Sequence, residues 1–257
     1  HPKKMKSPIK ENINNFKCLP FLRKLVPKGS VINSFLFFDG AIEFGLAESN
    51  RFVVAHTSQY VIYEFWRCAA DDPKKIGEMS KFLFDVNEPN IFHILQENWP
   101  KYQDPYVRSA LFFLLNRCSE SGLISSGKFN SKNYNPIALS HLNNFKINNF
   151  HIEWDDTSNF IEGIENARKA DYLLLPVGKF SYNFFEHGKN RGFEMTSVHH
   201  KKLFETLNQK KDKWMVIYKA HEQLYKLYKE HNITMLDKYG KLTDNKDACE
   251  EVVIANF

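Results

Sequence analysis

The chain has 257 residues, a formal net charge of +5 and a hydrophobic content of 43%. This length suits one large α/β domain or a domain with a subdomain, and no apolar stretch reaches the roughly 20 residues that cross a bilayer, so we expect no membrane partner. The weakly basic charge permits a nucleic-acid partner but does not require one.

The first 70 residues alternate between strand and helix patterns. Apolar runs predict strands over 31–38 and 51–55, and helical spacing predicts helices over 41–48 and 58–70. Strand, helix, strand, helix at these lengths is typical of a parallel, doubly wound sheet.

Residues 71–148 have a different pattern. Helical spacing occurs around 76–84, 91–99 and 107–117, without a clear strand. We therefore predict a helical subdomain over 71–148, inserted into an α/β domain made of residues 1–70 and 149–257.

The α/β alternation returns at residue 150. The pattern predicts strands over 150–154, 172–175, 214–218 and 250–257, and helices over 159–169, 198–208 and 221–231. Between them, residues 176–195 read as a long polar and aromatic loop. The predicted fold is an α/β, Rossmann-like doubly wound sheet with an inserted helical subdomain.

The strand ending near Leu175 lacks reactive groups. In an open α/β sheet, ligands bind outside the carboxyl ends of the strands. Here that position holds Leu175, Pro176, Val177 and Gly178, which supply no acid, base or nucleophile.

Cysteine usage indicates the compartment. Cys18, Cys68, Cys118 and Cys249 are far apart and form neither a Cys-x-x-Cys pair nor a zinc-site spacing. We expect no metal, and an intracellular, reducing location in the cytoplasm or wherever a DNA partner lies.

Several short motifs follow one another in a recognisable order. They are Pro8-Ile9-Lys10 with Leu19-Pro20, Phe38-Asp39-Gly40, Leu115-Asn116-Arg117 with Ser121-Gly122-Leu123, Gly127-Lys128-Phe129-Asn130, and Glu251 to Phe257. This order resembles the Dam-like adenine-N6 DNA methyltransferases, the D12 class. Their second motif is Phe-x-Gly-x-Gly, and their catalytic motif is Asp-Pro-Pro-Tyr.

The resemblance implies a cofactor site for S-adenosylmethionine. By family position, Phe38 and Gly40 would contact the cofactor, and His56 stands where the family has the acid that binds the ribose hydroxyls. Ile42 replaces the second glycine of the motif, and Leu175-Pro176-Val177-Gly178 replaces the catalytic tetrapeptide. Because these changes converge on one cofactor and one base, we interpret the site as degenerate.

The resemblance also implies contacts with double-stranded DNA. Methylation of adenine N6 requires a flipped base, an acceptor for its amino group and an aromatic ring that stacks on it. The candidate DNA-binding residues are Arg117, Lys128, Asn130, Lys189 and Arg191, whose side chains can contact phosphates.

Three interpretations remain open. The first is a catalytically inactive homologue that acts by binding DNA, or as a partner subunit or homo-oligomer, with no cofactor. The second is a divergent but active S-adenosylmethionine-dependent enzyme, with Asp171, Asp155 or Asp156 as the acceptor. In the third, the aromatic loop residues Tyr182, Phe184, Phe185 and His187 line a pocket for another small ligand.

Overall fold

A computed structural model describes residues 5–10, 14–83, 89–120, 122, 124, 127–180, 183–185 and 196–257, with the backbone alone at 183–185 and 196–197. The chain divides into two compact units. The sheet unit comprises residues 14–58, 148–184 and 197–257, and the helical unit comprises residues 1–13, 59–147 and 185–196.

The strands lie mainly in the sheet unit. In chain order they are β1 (Val31–Ser34), β2 (Phe52–Thr57), β3 (Phe150–Trp154), β4 (Tyr172–Gly178), β5 (Asn183–Phe185), β6 (Thr196–Ser197), β7 (Lys213–Lys219), β8 (Asn232–Leu236) and β9 (Glu251–Ala255). Short strands β5 and β6 pair with each other. The described residues of the other seven form one sheet in the order β3-β2-β1-β4-β7-β9-β8.

Most strands of this sheet are parallel. β3, β2, β1, β4 and β7 run in the same direction, whereas β9 is antiparallel to both β7 and β8. The order reverses between β1 and β4, as in doubly wound sheets. The structure therefore confirms the predicted α/β, Rossmann-like fold class.

The helices are divided between the two units. In chain order they are α1 (Leu19–Leu25), α2 (Glu43–Glu48), α3 (Tyr60–Asp71), α4 (Pro73–Leu83), α5 (Pro89–Asn98), α6 (Pro105–Cys118), α7 (Pro136–Asn143), α8 (Phe160–Asn166), α9 (His200–Gln209) and α10 (Glu222–Leu227). α3 to α7 belong to the helical unit, and the others belong to the sheet unit. Among the described residues, no helix is both long and apolar enough to cross a bilayer.

β1 is shorter than its apolar run predicts. The strand ends at Ser34, and Leu36 has a left-handed backbone with φ of 61°. Residues 35–38 nevertheless stay buried, and Phe35 N still donates to Leu174 O at 3.0 Å. The apolar run therefore reflects burial of the loop after the strand as well as the strand itself.

α3 packs against α6 in the helical unit. The ring of Phe65 stacks on Phe112 at 4.7 Å, and Glu64 pairs with Arg108 at 2.6 Å. Both helices thus lie in the Gln59–Ile147 segment of the helical unit.

We predict that the Glu64–Arg108 pair stabilises the helical unit. Arg108→Ala should lower the free energy of unfolding by about 3–5 kcal/mol, because the buried Glu64 carboxylate loses a bidentate partner. The measurement is denaturant unfolding followed by circular dichroism. The double variant Glu64→Leu/Arg108→Met should regain most of the loss, since an apolar pair leaves no buried charge. A double variant no more stable than Arg108→Ala would contradict this.

Candidate ligand site at the carboxyl edge of the sheet

The reversal of strand order locates the candidate site. β1 and β4 are neighbours, and Ser34 near the end of β1 pairs with Leu174. After β1 the chain leads to β2, and after β4 it leads to β7. These two destinations lie on opposite sides of the β1–β4 pair in the sheet. A crevice outside these carboxyl ends is where doubly wound folds bind ligands.

The end of β4 is apolar and fully buried. The strand continues beyond the predicted end at Leu175 and includes Pro176, Val177 and Gly178. Pairing with β7 is irregular between Pro176 and Gly178, which suits a proline that has no N–H to donate. These four residues offer no side-chain acceptor to a substrate amine.

Asn14 closes the space beside Gly178. Gly178 has a φ of 86°, and a Cβ atom built on it would lie 2.1 Å from Asn14 Oδ1. Asn14 is 4% exposed, and its Oδ1 has no hydrogen-bond partner within the described part of the chain. A larger side chain at position 178, such as a tyrosine, would therefore have to displace Asn14.

The segment after Asn14 is anchored to the ends of β7 and β9. Lys17 N donates to Glu251 Oε2 at 2.7 Å, and Lys219 Nζ donates to the same oxygen and to Asn15 O, both at 3.2 Å. Glu251 is 1% exposed, so the carboxylate of this ion pair is shielded from solvent, whereas the Lys219 side chain is partly exposed. The sequence did not predict the contact between Asn14 and Gly178, because no local pattern relates positions so far apart in the chain.

Gly40, one of the two candidate cofactor residues after β1, has a structural reason to be glycine. Its φ is 78°, and a Cβ atom there would lie 2.1 Å from the ring of Phe44. The other candidate, Phe38, is 4% exposed, and Ile42 is 1% exposed. All three residues are thus buried in the interior of the sheet unit.

Two carboxyl groups of this turn were also missed from the sequence. Glu43 is 4% exposed and accepts a hydrogen bond from Ser34 Oγ at 3.1 Å. Burial, reinforced by the charge of Asp39, raises the pKa of Glu43 to about 7. Asp39 is partly buried, and the loss of hydration on this burial raises its pKa to about 6. Both acids can exchange protons near neutral pH, which is a property of catalytic groups and of buried structural ones.

His56 lies at the end of β2, but its ring is used inside the protein. It is 5% exposed and stacks on Phe35 at 4.5 Å. Nδ1 lies 3.0 Å from Asp155 Oδ1, and Nε2 lies 3.0 Å from Asn33 Oδ1. Asn33 Nδ2 donates to Arg168 O at 2.8 Å, which orients the amide oxygen towards the histidine.

This arrangement gives both nitrogens of His56 an acceptor. Both ring nitrogens of His56 therefore have hydrogen-bond partners among the protein's own side chains, one on β1 and one just after β3. Glu153 lies nearby, and one ligand atom from each of His56, Glu153 and Asp155 lies within 4.8 Å of the others. Because both histidine nitrogens already have these partners, this set does not present His56 as a ready metal ligand.

A pocket of about 550 Å³ lies over this network in the sheet unit. The pocket is lined by buried polar side chains of this network and by acidic and basic groups. Its lining includes Asn33, His56, Asp155, Asp156, Arg168 and Lys169. Asp155 and Asp156, two of the alternative acceptors, thus lie at the carboxyl edge. The third, Asp171, accepts from Val31 N at 2.8 Å at the opposite, amino end of β1.

The candidate DNA-binding residues belong to the helical unit, and the structure describes three of them. Arg117 Nε donates to Pro8 O at 2.8 Å, and burial lowers its pKa. Lys128 is exposed, and Asn130 accepts from Lys132 N at 3.0 Å as a helix cap. Lys189 and Arg191 lie outside the described residues, as do the side chains of the aromatic loop, Tyr182, Phe184, Phe185 and His187.

Two of the resemblance motifs meet in the helical unit. Asn116 Oδ1 accepts from Lys10 N at 2.7 Å, and Asn116 Nδ2 donates to Lys10 O at 3.0 Å and to Gly122 O at 2.9 Å. Asn116 is fully buried, so its amide is needed to satisfy these backbone groups. The Asn-Arg dipeptide therefore fixes the segment around Lys10.

Comparison with known proteins leaves the resemblance as a hypothesis. No protein-family model and no curated protein matches this chain. The resemblance must therefore be judged on the burial and contacts of the motif residues described above.

We predict that Glu43 makes stability depend on pH. The folded state holds the Glu43 proton up to about pH 7, whereas the unfolded state releases it near the ordinary pKa of 4.5. The folded state therefore binds more protons between these values, and stability falls as pH rises from about 4.5 to about 7, by about 3 kcal/mol. Glu43→Gln should remove this part of the pH dependence in denaturant unfolding between pH 4 and 8.

The exposed Glu48 on the same helix supplies the control. Glu48→Gln should leave the pH dependence of unfolding as it is in the wild type. If Glu43→Gln and Glu48→Gln gave the same pH profile, the buried Glu43 carboxyl would not be the source.

We also predict that Gly178 and Asn14 are coupled. Gly178→Ala should cost more stability than Gly29→Ala, because both glycines have a left-handed φ (86° and 83°) but only Gly178 has a neighbour within 4 Å. The strain common to both is about 1–3 kcal/mol. Adding Asn14→Ala should reduce the cost of Gly178→Ala to about that of Gly29→Ala. Equal costs for the two single variants would contradict the contact.

Proposed function

We propose that this chain is a catalytically inactive relative of the Dam-like adenine-N6 DNA methyltransferases, acting by DNA binding or as a partner subunit. The observation that carries the proposal is the end of β4 at the switch point, where Gly178 is covered by Asn14. In an active member of the D12 class, this position would supply an acceptor and an aromatic ring. Here it supplies neither.

The cofactor side of the same edge supports the proposal. Ile42 is buried where the resemblance expects a glycine, and both ring nitrogens of His56 are engaged by Asp155 and Asn33. A ribose needs acceptors for its two hydroxyl groups, and an imidazole whose two nitrogens are already engaged supplies none. We therefore expect no tight binding of S-adenosylmethionine.

One observation favours the alternative, a divergent active methyltransferase. Asp39 and Glu43 are acids at the carboxyl end of β1, next to the expected cofactor position. However, a carboxyl group with a pKa of about 7, as for Glu43, is half protonated at neutral pH and is a weaker acceptor than a carboxylate. This alternative predicts transfer of labelled methyl groups to a duplex, with loss of activity in Glu43→Gln.

The first test is titration calorimetry with S-adenosylmethionine, alone and with a DNA duplex present. We expect no binding heat in either titration, because Asn14 covers the end of β4 at Gly178 and both ring nitrogens of His56 are already engaged. Thermal denaturation of the same sample verifies that the protein is folded. Micromolar binding in either titration would overturn the proposal and favour the active enzyme.

A salt titration separates the two modes of action. DNA binding through phosphate contacts should weaken steeply with salt, and Lys128→Ala should lower the slope of log K against log salt by about 1. Lys229→Ala, on an exposed position of the sheet unit, is the control. Association with a protein partner should be much less sensitive to salt.

A further inference from the structure

β3 is an edge strand of the sheet unit. Within the described residues it pairs with β2 alone, at the end of the strand order. Val53 N donates to Asn149 O at 2.8 Å, and Asp155 N donates to Thr57 O at 2.9 Å. Because successive residues of a strand direct their backbone groups to opposite sides, the N–H and C=O of Ile152 point away from β2.

The side chains of β3 do not obstruct this edge. His151 and Glu153 lie on the same face of the strand, and their side chains are 50% and 49% exposed. The strand Phe150–Trp154 contains no proline and no lysine, the residues that usually protect an edge from another strand. Edge strands of this kind are templates for pairing with another chain.

We propose that β3 binds β3 of a second copy of this chain, antiparallel, about a two-fold axis through Ile152. This axis places the outward N–H and C=O of Ile152 opposite those of the second copy, where each donates to and accepts from the other. It also places His151 of each copy opposite Glu153 of the other, so that two complementary pairs form. Phe150 faces Trp154, which is 41% exposed.

Neighbouring registers lack this complementarity. An axis through His151 leaves each imidazole opposite another imidazole, without a carboxylate partner, and an axis through Glu153 places the two carboxylates opposite each other. Directly opposed like charges destabilise an antiparallel pair, which disfavours the Glu153 axis. Within this strand, the Ile152 axis therefore combines the backbone pairing with an imidazole opposite a carboxylate on both sides.

The test is sedimentation equilibrium of the full chain over a range of concentrations. The wild type should show a reversible dimer. His151→Glu should weaken it by about tenfold, because the carboxylate introduced in each copy faces Glu153 of the other, and Glu153→Lys should weaken it by placing a lysine opposite His151. The double variant His151→Glu/Glu153→Lys should regain the dimer, because the opposed charges are again complementary.

Two controls make the result specific. Glu165→Lys, an exposed change of the same charge on α8, should leave dimerisation unchanged, and thermal denaturation should show that each variant is folded. His151→Cys/Glu153→Cys should form an intermolecular disulfide on oxidation, since these positions are directly opposed. The native cysteines are all buried and should not compete.

A wild type that stays monomeric at every concentration would overturn the proposal. So would a dimer that is unaffected by both single variants, or one that the double variant does not restore, since it would use another surface. Because none of these measurements involves cofactor or DNA, their failure is distinct from failure of the proposed function.

Discussion

The adjacency of β1 and β4 is the constraint on which the arrangement of this protein depends. Parallel strands whose connections diverge leave a gap outside their carboxyl ends, and a ligand or the protein's own side chains must fill it. In this chain, Asn14 reaches Gly178 from the N-terminal segment, and Glu43 reaches Ser34 from α2. At the neighbouring strand end, Asn33 and Asp155 engage both ring nitrogens of His56 beneath the pocket of about 550 Å³.

Filling this edge with polar groups requires that they satisfy one another. A buried charge without a partner costs several kcal/mol, and the chain offsets this cost by placing His56 beside Asp155 and Lys219 beside Glu251. Glu43 is the exception, because its main partner is a neutral hydroxyl, and burial raises its pKa to about 7. The same physical rule thus gives a carboxylate with a polar partner at two positions and a raised pKa at the third.

How much the sequence could predict depends on how local each feature is. β4 and β7 were predicted because both are buried apolar runs, which identify a central parallel strand without further information. β8 was missed because an edge strand is half buried and its residues Asn232–Leu236 alternate weakly. At the site, the position of His56 was predicted, but its partner Asp155 is 99 residues away, and no local pattern relates the two.

The glycines show why retention of a motif and retention of a function are separate questions. Gly40 would be needed beside the Phe44 ring with or without a cofactor, since a Cβ atom there would overlap the ring. Its presence therefore does not indicate cofactor binding, whereas Ile42, two residues later, is free of such a requirement and has become part of the core. A site that has lost its chemistry would be expected to keep the glycines that packing requires and to lose those that only a ligand requires. Positions 40 and 42 differ in that direction, and this difference, more than the absence of any one catalytic residue, supports our proposal of a catalytically inactive relative.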